Sequence, residues 1–141
     1  MATEHWLVLP VLGQIVLTVV IGLLSLHSRI KSLRGRQVTL EQVALDNAAW
    51  PDTARKFGNN FDNQFQVPLL FVAAVGFFLA TGLADRIAVT MAFLFLALRL
   101  AHAIEHVNAN RVPHRFSFYL ASLVAMLALW AWFAFRFYVT G

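Results

Sequence analysis

The chain has 141 residues, of which 60% are hydrophobic and 13% charged, an apolar share well above that of soluble globular domains. It carries no cysteine, which excludes a disulfide framework, a thiolate metal site and a cysteine nucleophile. The formal net charge is +4, but the basic residues gather in short connecting segments, where they set membrane topology rather than hold nucleic acid.

Hydropathy places helices at about 6–27, 59–84, 86–107 and 115–138, each near the roughly 20 residues that cross a bilayer. The expected fold class is therefore an all-α integral membrane protein, a four-transmembrane-helix bundle forming a single domain over 1–141. The first helix has no basic residues ahead of it and a basic stretch behind it, so it is expected to be retained rather than cleaved as a signal peptide. Its polar residues Gln14, Thr18, Gly22, Ser25 and Arg29 recur every three or four positions and form one stripe.

The connecting loop, about 28–58, holds Arg29, Lys31, Arg34, Arg36, Arg55 and Lys56. Within it, Thr39-Leu40-Glu41-Gln42 fits a capping box and predicts a short helix running towards Ala49, with Trp50 as an interfacial anchor. The second helix opens on Asn59, Asp62, Asn63 and Gln66, with Pro68 permitting a bend. Asp85 and Arg86 make a tight turn into the third helix, whose last third carries Arg99, His102 and His106 on one face. An arginine at this depth needs an anion, either Asp62 or a ligand. The two histidines are spaced as a metal pair would be, but no third ligand accompanies them, so no metal is expected. Glu105 reads as a solvated residue at the helix end, and His27 and His114 as interfacial.

The loops after the first and third helices share one face and hold most of the basic residues, which predicts both basic loops in the cytoplasm and both termini on the far side. Polar residues cluster at the cytoplasmic ends of the second and third helices, so together they are expected to line a polar pocket open to the cytoplasm. The alternative is that these amides simply hold helices together.

Two stretches carry a family resemblance. Asn59 to Phe71, NNFDNQFQVPLLF, resembles the start of the second helix of the membrane-associated proteins in eicosanoid and glutathione metabolism, the MAPEG family. Leu98 to Phe116, LRLAHAIEHVNANRVPHRF, resembles that family's third-helix end and fourth-helix start, and the spacer LEQVALDNAAWP is similar to its bacterial branch. The resemblance implies a homotrimer in a bacterial inner membrane, with both termini periplasmic. Glutathione would bind between subunits as co-substrate of a transferase or peroxidase, and the electrophile would be a hydrophobic small molecule or lipid arriving from the bilayer.

By position, the resemblance makes Arg115 the catalytic residue that stabilises a thiolate, and Asn59, Asn63, Gln66, Arg99, His102 and His106 the binders of the thiol substrate. Arg29 or Arg34 corresponds to the family's first-helix arginine. Three departures stand out: Gln66 replaces an acid, Gly58 stands where an arginine is expected, and the histidines replace tyrosines. Two functions of different class follow. One is the glutathione-dependent enzyme; the other is a non-catalytic lipid-binding protein or an accessory subunit of a larger membrane complex. A proton pathway through Asp62, His102 and His106 is a third, disfavoured because the polar stripes stop halfway across.

Overall fold

The computed structural model describes residues 3–139, and among these every regular element is helical. The order is α1 (Thr3–Arg34), α2 (Leu40–Val43), a 3₁₀ turn (Asn47–Ala49), α3 (Asp52–Asp62), a second 3₁₀ turn (Asn63–Phe65), α4 (Val67–Thr81), α5 (Arg86–Val107) and α6 (Val112–Val139). Four segments are long and apolar enough to cross a membrane: α1, α3 with α4 taken as one, α5 and α6. The protein is a multi-pass membrane protein.

α5 lies between α1 and α6, and the α3–α4 rod closes the bundle against the other helices. The outward faces are apolar: Leu12, Ile15, Val16, Val19 and Leu23 of α1 are all exposed, as expected of side chains that meet lipid. With 32 residues, α1 spans roughly 48 Å, longer than the roughly 30 Å hydrocarbon layer. Its last turns, with Lys31 and Arg34, therefore project beyond the membrane together with the long loop.

The interior divides along its length. Towards the α4–α5 turn it is a dry cluster in which Phe71 stacks on Phe95 at 4.2 Å between ring centroids, joined by Phe78, Ala88, Ala92, Met126 and Leu129. Towards the long loop it is polar: Gln14, Ser25, Asn60, Gln64, Arg99, His102 and His106 are all buried. A small apolar group, Leu17, Ile21 and Ala103, lies among them.

The α4–α5 turn is built on Gly82 and Asp85. Gly82 caps α4 in the left-handed region at φ 66°, and its N–H bonds back to the Leu79 carbonyl. A Cβ there would meet no neighbour, so Gly82→Ala isolates the backbone penalty. We expect a loss of about 1 kcal/mol, read as a fall of a few degrees in the thermal midpoint. Asp85 caps α5, accepting from the Ala88 N–H at 2.8 Å, and also accepts from Trp132 Nε1 of α6 and pairs with Arg136.

The loop departs from its expected form in two ways. The Thr39–Gln42 capping box is present, but α2 ends at Val43 and the chain reaches Ala49 through a separate 3₁₀ turn capped by Asp46. Trp50 is not an interfacial anchor. It is buried beneath the Arg29 guanidinium, 5.2 Å above its ring, and so pins the loop onto α1 by a cation–π contact.

Candidate functional site

The polar half of the interior begins with a break in the second span. Pro68 has no N–H, so the regular ladder fails between α3 and α4, and Asn63–Phe65 tightens into a 3₁₀ turn with Gln66 at φ −92°, ψ −101°. The break leaves carbonyl oxygens without helical partners. Arg99 of α5 supplies one donor, its Nη2 reaching the Asn63 carbonyl at 2.9 Å.

Gln64 is the hub beside it. Its Oε1 accepts from Gln14 Nε2 of α1 at 2.9 Å, and its Nε2 donates to Asn60 Oδ1 at 3.0 Å. Asn60 in turn donates to the Ala103 carbonyl of α5 at 3.2 Å. Three helices are thus joined by amides that would otherwise be orphaned in a dry interior.

These are not the amides that sequence periodicity selected. Asn59 and Gln66 are exposed and Asn63 is half-buried, while Asn60 and Gln64 point inward. Nor does Asp62 pair with Arg99: it is exposed, and the expected protein anion is missing from the guanidinium. The arginine expected at position 58 has a replacement in space. A Cβ on Gly58 would lie 3.1 Å from Arg29 Nη2, so the α1 guanidinium occupies the room that a side chain there would take. Glu105 is not simply solvated; it accepts from the Arg111 Nε and Nη2 at 2.9 and 3.1 Å.

Arg115, in the first turns of α6, lies where this polar interior opens to the loop side. Its Nη1 donates to His106 Nε2 at 3.0 Å and to Asn110 Oδ1 at 2.8 Å. A guanidinium can only donate, so His106 Nε2 bears the lone pair and Nδ1 the hydrogen. The Arg115 carbonyl receives His102 Nδ1 at 3.0 Å, which places the hydrogen of that ring on Nδ1 and leaves Nε2 an acceptor. Asn110 reaches Arg115 because it adopts φ 51°, a left-handed turn closing α5 through its N–H to the Glu105 carbonyl at 2.7 Å. Lys56 ties α3 to the same loop through the Asn108 carbonyl at 3.2 Å.

Between these elements is a pocket of about 340 Å³, near the lower end of the roughly 300–1,000 Å³ of ligand sites. Arg115, His106 and Asn59 line it, joined by Arg55, Lys56 and Asn110. Asp52 and Thr53, at the start of α3, complete the rim, with Asp52 paired to Arg55. Three of the expected residues thus meet in one pocket. Arg99 and His102 lie deeper and fully buried, and neither Asn63 nor Gln66 touches it. Asp52, Thr53 and Asn110 were not anticipated. The signal for Asn110 was available in the Asn-Ala-Asn run that ends the third helix.

The pocket is rich in donors and cations and can hold an acid; Asp52 offers an acceptor for an amine. On the outward face of α5 and α6, Met91, Leu94, Leu98, Phe116, Leu120 and Val124 line an apolar groove of about 620 Å³. Among the described residues no three His, Asp or Glu side chains stand close enough to share a metal ion. No curated protein and no solved structure matches the chain. A family match covers the bundle, its polar interior and the pocket alike: the sequence model of the MAPEG family matches residues 5–135, and the chain belongs to that family.

Proposed function

We propose that this MAPEG protein binds glutathione in the basic pocket and joins its thiol to hydrophobic electrophiles, or reduces hydroperoxides at the expense of two glutathiones oxidised to the disulfide. The electrophile or hydroperoxide is drawn from the bilayer. The observation that carries the reading is the Arg115 guanidinium, presented to the pocket and held there by His106 and Asn110. Glutathione brings two carboxylates, for which Arg55, Lys56 and Asn59 are suitable partners, and an amine, for which Asp52 supplies the negative charge that Gln66 lacks. A free thiol titrates near about 8.5, and a fixed cation beside the sulfur favours the thiolate that attacks.

His106 is no general base here, because its lone pair is taken by Arg115. The thiol proton therefore leaves to water through the open mouth. The sulfur then bonds to the electrophilic carbon as the leaving group departs, with no covalent enzyme intermediate. The apolar groove beginning at Phe116, the residue after Arg115, is a suitable approach for the electrophile.

In this reading the site is completed in a homotrimer, as in other members of the family. The face bearing exposed Gln66 and half-buried Asn63 would meet a neighbouring subunit, and Arg99 and His102 would support the binding wall from behind. Both termini would be periplasmic and the pocket cytoplasmic, in a bacterial inner membrane of the family's bacterial branch. A non-catalytic role, as a lipid-binding trimer or an accessory subunit of a membrane complex, is favoured by one observation: Arg99 and His102 are sealed from any ligand in the pocket.

Thermal unfolding of the detergent-purified protein with glutathione separates the two. A ligand held only by the folded state raises stability by about 2.7 kcal/mol at a hundredfold excess over Kd. We expect that rise, followed by conjugation of a chromogenic aryl halide. An unchanged midpoint at saturating glutathione would sink the transferase reading and leave the non-catalytic one.

A further inference from the structure

The outward face of α1 changes character along its length. Val16, Val20, Leu23 and Leu24 stand exposed on it. At 3.6 residues per turn, His27, Ile30, Lys31 and Arg34 continue the same face, while Ser25, Ser28 and Ser32 lie buried on the other. The lipid-facing stripe of this helix thus ends in two cations and an imidazole.

These side chains are gathered around a space. His27, Ile30, Lys31, Arg34 and Gly35 line a pocket of about 390 Å³. Beyond it the chain turns away at Arg36, which adopts φ 52°. The turn uses its own backbone donors: Gly35 N–H returns to the Lys31 carbonyl at 2.9 Å, and Gln37 N–H to the Ser32 carbonyl at 3.0 Å. What the pocket offers a ligand is therefore the charge of Lys31 and Arg34. Neither has a protein anion among the described residues, whose ion pairs join Asp52 to Arg55, Glu105 to Arg111 and Asp85 to Arg136. Asp52 shares an adjoining depression with Lys31, but its carboxylate is held by Arg55.

Depth decides what can reach the pocket. The uncharged run from Trp6 to Leu26 rises about 30 Å, the thickness of the hydrocarbon layer. His27 therefore stands where the headgroups begin, with the backbone of Arg34 about 10 Å further out. Side chains on a helix lean towards its N-terminus, and long cationic ones extend further along it. Lys31 and Arg34 accordingly reach back towards the level of the lipid phosphates.

We propose that this pocket seats the phosphate of an anionic glycerophospholipid between Lys31 and Arg34, with an N–H of His27 beneath it. The acyl chains lie along Leu24, Leu23, Val20 and Val16. The two cations select negative charge, and the apolar stripe directly below them selects a lipid over a free phosphate. The site lies apart from the basic pocket around Arg115 and is independent of the glutathione reading.

The test is native mass spectrometry of the detergent-purified full chain, titrated with phosphatidylglycerol or with phosphatidylcholine of the same acyl chains. Phosphatidylglycerol is expected to bind at least about tenfold more tightly. Lys31→Gln and Arg34→Gln should each weaken it about fivefold, the effect of one cation beside an anionic headgroup. Arg36→Gln removes a charge from the same end of α1 but outside the pocket, and should weaken it less than about twofold. All three positions are exposed, so the variants should keep the wild-type thermal midpoint to within a few degrees. Equal affinity for the two lipids would overturn the proposal. Equal losses in Arg34→Gln and Arg36→Gln would do so as well, because the attraction would then be the diffuse charge of a helix end. Displacement of the lipid by millimolar inorganic phosphate is the third adverse result: the cations would then hold a free anion, and the apolar stripe would contribute nothing.

Discussion

Arg115→Ala is expected to lower kcat/KM for glutathione conjugation by at least about 100-fold, the scale on which removing one preorganised charge-stabilising donor acts. The fall should lie mainly in the acidity of the bound thiol. Thiolate absorbance of the glutathione complex, followed against pH, should therefore titrate about one to two units higher in the variant. Stability should suffer much less. Two hydrogen bonds are lost, to His106 and Asn110, each with a net contribution of about 1 kcal/mol. Arg115→Lys keeps the charge but lacks the planar fork that serves both partners, and intermediate activity is expected. If Arg115→Ala conjugates as fast as wild type, the assignment of the thiolate partner is wrong, whatever the protein binds.

Asp85→Ala should be strongly destabilising although it lies outside both the polar interior and the apolar core. The carboxylate performs three tasks at once: it caps α5, receives Trp132 Nε1 at 3.0 Å and pairs with Arg136. Loss of an N-cap costs about 0.5–2 kcal/mol. A partly buried indole N–H left without its acceptor, and the lost ion pair with Arg136, add a comparable amount each. A total of about 1.5–6 kcal/mol follows, seen as a fall of several degrees or more in the thermal midpoint. Asp85→Asn keeps an acceptor for the cap and the indole and should recover about half of the loss. A midpoint within a degree of wild type for Asp85→Ala would mean that α4 and α5 are held together by the Phe71–Phe95 core alone.

The second span shows where sequence reading stops. Polar residues at 59, 60, 62, 63, 64 and 66 occupy more than one face of a helix, so a period of 3.6 residues cannot tell which face turns inward. The choice of Asn59, Asn63 and Gln66 was as regular as the choice of Asn60 and Gln64. What decides between them is the presence of Gln14 on α1 and of Ala103 and Arg99 on α5. These meet the side chains of the second set, whereas of the first set Arg99 meets only the Asn63 backbone carbonyl. Arg99 illustrates the same limit. That it must find partners inside the bundle was readable from depth alone, but the exclusion of Asp62 depends on where the helix breaks at Pro68.

The sequence by itself determined the four apolar spans, the tight Asp85 turn, the Thr39 capping box and the family. Each rests on properties local to a segment: hydropathy over about 20 residues, a side chain bonding its own backbone three positions on, or a motif read in order. The tertiary structure alone decided that Arg115, His106 and Asn59 share one pocket with Asn110. It also decided that Arg29 fills the space beside Gly58 and covers Trp50, and that Arg99 is closed away from solvent. Those outcomes depend on which helix faces which, and at what height. In a membrane, where apolar side chains gain little by facing one another rather than lipid, these choices are made by the few polar groups that must find partners across helices.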